Sequence, residues 1–394
     1  MKIMDFMLRH RAAPEQIDTQ MCLNQLLERM EAGLSGEGNI PMLPSFLSGS
    51  IRIPVGAVCA VMDAGGTNYR TANAKLTGDG WVLSGLQVRP MPGTEGELDF
   101  DAFYEAMAEP VRQLDSYRKV GFCFSYNVTL GRELDGNLDF WCKEVRAPEC
   151  VGKPVGSSLK AVLGDGCDSV HVLNDSVAAM LGAEDVQVGV ILGTGINVCY
   201  AEQCSRIPKI QEKLNGDIMI VSTEIGEFDR IPLSDFEEAV IAASDAPGSA
   251  QAEKQCSGGY LGAVIGAGWR AAAEEGLLPE CYRSGACDLA QVSRALAGDG
   301  CELSEEALEI SRIAIARAAK IAAILCAGPM LRTGETQLRV AVEGSQYWRL
   351  TGFRDQFHRE LDKILMPLGV QYEIVRTENA CLIGAARAAY AIPM

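Results

Sequence analysis

Between Ala57 and Leu76 the hydrophobic pattern of the chain breaks and restarts within a few residues. An apolar, β-branched run from Ala57 to Met62 ends in Asp63, passes through Gly65-Gly66, and resumes as an alternating segment from Tyr69 to Leu76. That pattern predicts strand, tight turn, strand. Upstream, apolar positions at Ile17, Met21, Leu26, Leu27 and Met30 recur at helical spacing, with Gly33 as the expected C-cap. A linker rich in Gly, Ser and Pro then runs from Gly33 to Pro54. Downstream, Trp81 to Val88 reads as a third strand, Leu98 to Tyr117 as an amphipathic helix, and Lys119 to Tyr126 as a buried strand ending at Ser125. After a polar, turn-rich excursion carrying Trp141 and Lys143, a short helix is expected over Ser157 to Leu163. A strand over Ser169 to Leu173 carries Asn174 and Asp175 at its end, and a helix follows over Ser176 to Ala183.

The order three strands, helix, strand, helix, strand then begins again. Val186 to Leu192 is an apolar run ending in Gly193-Thr194-Gly195, Asn197 to Glu202 resumes as a strand, and Asp217 to Ser222 is a third. Helices follow, the longest over Ser304 to Leu331. A strand over Leu338 to Val342 ends in Glu343-Gly344-Ser345, a helix begins near Phe353, Gln371 to Val375 is a last strand, and Asn379 to Ala391 a last helix. Two strand–turn–strand units with trailing α/β segments predict two α/β domains of related topology. The cleft between them is the expected site, because ligands lie at the carboxyl ends of strands in such sheets.

Composition narrows the classes. The 394 residues suffice for two or three domains, and 48% hydrophobic with 22% charged residues is a globular balance. A net charge of −17 argues against nucleic-acid or anionic-membrane binding, which need a basic face. Fourteen cysteines, no secretory segment near the start and no CxxC pair lead to the expectation of reduced, buried thiols in a cytoplasmic protein. With three histidines, a zinc site or a Ser-His-Asp triad has little support. The apolar tract Ile313 to Met330 is interrupted by Arg317 and Lys320, so no membrane span is expected.

The two glycine turns carry the candidate chemistry. Glycines allow positive φ and remove Cβ atoms that would block a close ligand, and a concave run of backbone N–H groups binds anions. Thr67, Asn68 and Arg70 add donors beside the first turn, and Asp63 is placed to hold a phosphate-bound Mg²⁺ through water. The alternative for this segment is an ordinary hairpin. Phosphoryl transfer needs a phosphate cradle, a metal, and an acceptor hydroxyl beside a carboxylate that takes its proton. Asp175 is the candidate base, with helix N-capping as its alternative role. Asn174, Asn197, Glu224 and Glu253 at strand ends or loop edges together supply the donors and acceptors that fix a polyol, although each alone reads first as a surface or capping residue and only the combination carries weight.

These segments, in order, resemble the eukaryote-type hexokinase family of the actin-like ATPase superfold. DAGGTNYR (Asp63 to Arg70) is similar to the family's DxGGTNxR, and MLPSF (Met42 to Phe46) to its MLPTF-like approach. FSYN (Phe124 to Asn127) and FWCK (Phe140 to Lys143) resemble the sugar-binding FSFP and WTK segments. LNDSVAAMLG (Leu173 to Gly182) resembles the catalytic stretch, and ILGTGINVCY (Ile191 to Tyr200) the second phosphate motif. STEIGEF (Ser222 to Phe228), PGSAQAEKQCSGGYLG (Pro247 to Gly262) and VEGSQY (Val342 to Tyr347) resemble NTEWGAF, PGxQxFEKMxSGxYLG and the adenosine-side DGxxY.

The resemblance implies two ribonuclease H-like domains around a cleft: a small one over 52–176 plus 377–394, and a large one over 1–51 plus 177–376. It implies ATP-dependent, Mg²⁺-assisted phosphorylation of a hexose, foremost D-glucose, at its 6-hydroxyl, feeding glycolysis. Asp175 would be the base on that hydroxyl. Ser125, Lys143, Asn174, Asn197, Glu224 and Glu253 would hold the sugar. Asp63, Gly65, Gly66, Thr67, Asn68, Arg70, Thr194, Gly258, Gly344 and Ser345 would face ATP and its magnesium, with no metal ligated directly.

Three departures stand out. Cys142 replaces a sugar-bonding threonine with a weaker donor and acceptor, Tyr126-Asn127 replaces Phe-Pro, and Glu343 replaces an aspartate. The first two keep open a catalytically weak, sugar-sensing regulator of the same fold. A protein-binding ATPase of the actin or Hsp70 kind shares the two phosphate turns but has no need for the segments around Lys143, Glu224 and Glu253. A coupled assay with ATP and a hexose panel separates the three readings.

Overall fold

The computed structural model describes residues 2–394 except 66–67, 116, 142–144, 212–213, 215, 301–302 and 393. Helices α1 (Lys2–Arg9) and α2 (Thr19–Leu34) come first, and the chain then crosses to a two-residue strand β1 (Leu43–Pro44). Gly33 lies inside α2 instead of capping it; Ser35 is the C-cap. The glycine is needed for space, since a Cβ there would lie 2.1 Å from the Ile40 carbonyl oxygen of the returning chain. The helix α1 has no counterpart among the sequence-derived elements.

Strands β2 (Val58–Ala64), β3 (Asn68–Thr77) and β4 (Gly80–Pro90) form a meander, followed by α3 (Phe100–Arg112) and β5 (Lys119–Phe124). A hairpin of β6 (Asn127–Leu130) and β7 (Gly136–Phe140) occupies the turn-rich excursion, where no strand was expected. Then come α4 (Val155–Leu163), β8 (Ser169–Leu173) and α5 (Asp175–Leu181). The second unit repeats the plan with β9 (Val188–Leu192), β10 (Ile196–Gln203) and β11 (Ile218–Ser222), then α6 (Asp235–Ala242), α7 (Gln251–Cys256), α8 (Gly258–Glu274), α9 (Leu289–Ala297) and α10 (Glu305–Arg332). It closes with β12 (Gln337–Glu343), α11 (Ser345–Arg349), α12 (Phe353–Leu365), β13 (Gln371–Val375) and α13 (Ala380–Ala388).

The first sheet has the order β4-β3-β2-β5-β8; the second runs β11-β10-β9-β12-β13, with β1 added beyond β11. In each, the first three strands are antiparallel and the last two are parallel to the first. The related topology expected from the sequence is thus present strand for strand. Period-two alternation sends Ala60, Met62 and Ala64 of β2 to one core and Cys59 and Val61 to another. The latter core joins the sheets: α5 and α13 lie in it between Val61 and Cys123 of one and Cys199 and Ile220 of the other. Small residues allow this packing, for a Cβ on Gly384 of α13 would lie 1.9 Å from the Ala178 carbonyl oxygen of α5.

Helix α10 is long and apolar enough to cross a bilayer despite Arg317 and Lys320, but 94% of its apolar window is buried inside the protein. It is the spine of the large core. The Arg317 guanidinium, 3% exposed, donates to both Glu237 oxygens at 2.8 and 3.0 Å, and Lys320 donates to the Pro14 and Ile17 carbonyls. The twelve cysteines among the described residues are free, and most are buried.

Candidate active site

Register places the first group. Asp63 of β2 pairs with Cys123 of β5, which pairs with Leu173 of β8, so Asp63, Ser125 and Asn174-Asp175 leave adjacent strands at one edge. Across the hairpin Asp63 faces Arg70, whose guanidinium binds the Asp63 carboxylate through Nε at 2.9 Å and also through Nη2. Asp63 is 6% exposed. Gly65 closes the turn by donating its N–H to Asn68 O at 3.1 Å. Its backbone is not left-handed and a Cβ there would meet only Asn68 O, at 3.7 Å. Neither its backbone conformation nor any described neighbour therefore requires the missing Cβ at Gly65. Gly66 and Thr67 lie outside the described residues.

The second group joins the two sheets. Asn174, and not Asp175, caps α5: its Oδ1 accepts from Ser176 N at 2.8 Å and from Ser176 Oγ at 2.7 Å. Asp175 is therefore the first helical residue, half-buried, and its Oδ1 also accepts the Ser176 N–H at 2.8 Å. From the other sheet the Asn197 amide donates to Glu224 Oε1 at 2.7 Å, to Ser222 Oγ at 3.0 Å and to Asn174 Oδ1 at 3.4 Å. Asn197 Oδ1 in turn accepts the Glu224 N–H at 3.0 Å, holding Glu224 in a left-handed conformation at φ 55°. Burial, reinforced by the charges of Asp175 and Glu253, pushes the Glu224 carboxyl up to about 7. Glu253 accepts the Ile196 N–H at 3.1 Å, and a Cβ on Gly195 would intrude to 2.6 Å from its Oε2.

The third group surrounds the turn Gly193-Thr194-Gly195. Gly258 N and Gly259 N of α8 each donate at 2.9 Å, to Gly193 O and Thr194 O respectively. A Cβ on Gly258 would lie 2.7 Å from Gly193 O. Gly344 has φ +121°, and a Cβ there would lie 2.1 Å from Leu192 O. Thr194, Gly258, Gly344 and Ser345 are thereby gathered at one place, with Thr194 and Ser345 exposed. Beside them Ser257 Oγ and Gln346 Oε1 are buried with no partner among the described residues, a mark of a position where a ligand or water completes the hydrogen bonds.

Electrostatics shows that the groups lie close enough to act on one another. Burial raises the Glu343 carboxyl, Arg70 and Arg376 pull it back down, and Asp63 raises it again, so the end of β12 faces the first turn. The hydrogen-bonded thiol of Cys381, then burial, then the charges of Asp63 and Asp175 raise the Cys123 thiol well above its ordinary value. Both carboxylates therefore act on one buried thiol. Among the described residues no three His, Cys, Asp or Glu side chains cluster as metal ligands. The residues fit a magnesium ion carried on substrate phosphates, with Asp63 as an outer carboxylate, since Mg²⁺ keeps several waters and needs few protein ligands.

Two family models, both described as hexokinase, match residues 7–184 and 187–391. The chain belongs to the hexokinase family. Curated hexokinase relatives include Hexokinase-1 of Oryza sativa subsp. japonica, 30% identical over 264 residues that make up 60% of this chain and 53% of that protein. The Hexokinase-like 1 protein of Arabidopsis thaliana is 33% identical over 270 residues, 61% of this chain and 54% of the relative. The chain thus spans about half the length of the curated relatives it matches. Among solved structures, the hexokinase from Schistosoma mansoni complexed with glucose superposes with a TM-score of 0.82 at 22% identity over 98% of each chain. A ROK family glucokinase from Streptomyces griseus in complex with glucose and AMPPNP gives 0.52 at 18% identity, covering 84% of this chain and 98% of that one. At such identities the likeness is one of fold, the two-domain actin-like ATPase fold.

Of the hexokinase-type residues read from the sequence, Asp63, Gly65, Asn68, Arg70, Ser125, Asn174, Asp175, Asn197, Glu224, Glu253, Thr194, Gly258, Gly344 and Ser345 all fall in these three groups. Lys143, with Cys142 beside it, lies outside the described residues. Sequence reasoning missed Ser176 and Ser222, whose hydroxyls knit Asn174 and Glu224 into one network. Both lie inside the quoted motifs, but a serine's bonding partners are not written in its neighbours. It also missed Arg376, which faces Glu343.

Proposed function

We propose that the protein is an ATP-dependent kinase for a hexose, foremost D-glucose, that phosphorylates the 6-hydroxyl in the cytoplasm. The observation that carries this reading is the bonded set Asn174, Asn197, Ser222 and Glu224 spanning both sheets, next in the chain to the carboxylate of Asp175. Such a set matches the alternating donors and acceptors of a polyol. In this reading Ser125, Lys143, Asn174, Asn197, Glu224 and Glu253 hold the sugar and Asp175 accepts the proton of the attacking hydroxyl. An aspartate is ionised at neutral pH and needs only hydrogen-bond reach.

The turn Gly193–Gly195, with Gly258, Gly344 and Ser345, receives the nucleotide, and Asp63 with Asn68, Arg70 and the first turn faces its phosphates. Mg²⁺ carried on those phosphates neutralises charge that develops on the transferring group. Arg70 and Asp63 are paired through the guanidinium, and together they would present a cationic donor and an outer carboxylate to the phosphates and their magnesium. The lobes assigned here are 52–176 with 377–394 and 1–51 with 177–376. Their approach around the sugar excludes water, the competing acceptor. A coupled assay with ATP and glucose, mannose, fructose and N-acetylglucosamine tests the reading; ATP hydrolysis indifferent to sugar would sink it. Cys142 in place of a threonine favours a second reading, a sugar-binding regulator with feeble turnover, which the same panel would reveal as binding without product.

A further inference from the structure

Two consecutive residues at the end of β5 seize two consecutive carbonyls at the end of β2. Ser125 N donates to Ala64 O at 3.1 Å, and the Tyr126 hydroxyl donates to Gly65 O at 2.9 Å. Tyr126 is only 4% exposed, so its hydroxyl is delivered to the turn from within the core. Its ring packs against Phe124 at 4.9 Å and edge-on against Trp141 at 5.1 Å. Trp141 is itself fixed, edge-on to Phe103 at 5.2 Å and donating its indole N–H to Ala147 O at 2.6 Å. Asn127, the next residue, pairs with Phe140 across the β6–β7 hairpin, and this register brings Trp141 to Tyr126.

Tyr126 therefore touches three things at once: the first phosphate turn, the Ser125 segment, and the tryptophan that leads into residues 142–143. Gly65 has no side chain with which to anchor its own carbonyl, and a flexible turn is held by what its neighbours supply. A phenylalanine here, as in the family pattern, fills the same volume and donates nothing. We propose that Tyr126 is a positioning residue that couples the Ser125 segment to the first phosphate turn, so that hexose bound against Ser125 tightens the site for the nucleotide phosphates. The proposal rests on the hexose-kinase reading. Coupling of this kind is a free energy shared between two ligands, carried by a physical connection whose removal uncouples them.

The test is a binding cycle by titration calorimetry on the full chain. Glucose and a non-hydrolysable ATP analogue with Mg²⁺ are titrated singly and each in the presence of the other, for the wild type, Tyr126→Phe and a control, Tyr69→Phe. The control removes another buried hydroxyl of the same lobe, one that donates to Met107 O at 2.6 Å away from the turn. Tyr126→Phe is expected to keep glucose affinity within about twofold while the glucose-induced gain in nucleotide affinity shrinks about fivefold, the scale of one neutral hydrogen bond. kcat/KM for ATP should fall in step. Tyr69→Phe is expected to lower the melting temperature and leave the gain intact. An unchanged gain in Tyr126→Phe, or an equal loss in both variants, overturns the coupling role alone. A wild type that binds no hexose overturns the hexose reading and the coupling with it.

Discussion

Asn197 and Glu224, 27 residues apart, hold one another at both ends: the Asn197 amide donates to the Glu224 carboxylate at 2.7 Å, and the Glu224 N–H donates back to Asn197 Oδ1 at 3.0 Å. Burial first, then the charges of Asp175 and Glu253, push this carboxyl up to about 7 against the pull of the Asn197 and Ser222 hydrogen bonds. Its consequence for stability has a definite sign. A carboxyl raised from 4.5 to about 7 binds its proton in the folded state over a range where the unfolded chain has lost it. Stability therefore falls as pH rises through that window. Thermal melts between pH 5 and pH 8 should show a decline that Glu224→Gln largely flattens, while the variant binds glucose more weakly. An identical pH slope in the two proteins would refute the assignment.

Asp175 opens α5 without capping it. Replacing it by alanine should leave Asn174 on Ser176 N and the fold intact. Turnover is expected to drop by roughly 10²–10⁴, the usual worth of a positioned general base, with glucose affinity little changed. Steady-state rates beside glucose titrations check this, and near-normal turnover would remove Asp175 from the role of base.

Gly344 and Gly65 should respond differently to alanine. Gly344→Ala forces a side chain into a left-handed backbone and against Leu192 O, so it should cost at least about 1–3 kcal/mol and weaken nucleotide binding. Gly65→Ala meets nothing closer than 3.7 Å, so its stability should stay within about 0.5 kcal/mol of wild type while ATP binds less well. Denaturant melts and nucleotide titrations of the pair separate backbone strain from ligand clearance.

The ion pair of Arg317 with Glu237 is 3% and 1% exposed. Arg317→Met alone strands a buried carboxylate and should cost about 3–5 kcal/mol. Adding Glu237→Gln should recover part of that loss, since the Glu237 carboxylate also caps its own helix through Ser234 N at 2.7 Å. A double variant no more stable than Arg317→Met would show that the loss is one of packing.

Much of the architecture could be read along the chain. Ser169 to Leu173 and Gln371 to Val375 are strands to the residue, because their β-branched runs are short and bounded by turn residues. The hairpin around Asp63 follows from the same pattern, and its register alone sets Arg70 opposite Asp63. The β6–β7 hairpin was passed over although Val128 and Leu130, and Leu138 and Phe140, alternate with polar residues, because each alternating run is short and sits among turn residues. The end of α3 was placed too late: Leu114 and Tyr117 extend the apolar spacing past Arg112 but pack from a turn.

What the sequence by itself determined is the set of local events: the repeated strand order, the two glycine turns, and the ordered motifs that mark the hexokinase family. These depend on side-chain period and backbone freedom, which neighbouring residues report. Only the tertiary structure decided that Asn174 and not Asp175 caps α5, that Gly33 makes room where it was expected to end a helix, that α10 is a buried spine, and that Tyr126 reaches Gly65. The burial of α10 and the reach of Tyr126 depend on partners tens to hundreds of residues away, while the α5 cap and the Gly33–Ile40 approach depend on the path the backbone takes once folded. Burial and charge at a point are sums over everything packed around it, and that sum exists only once the chain has closed.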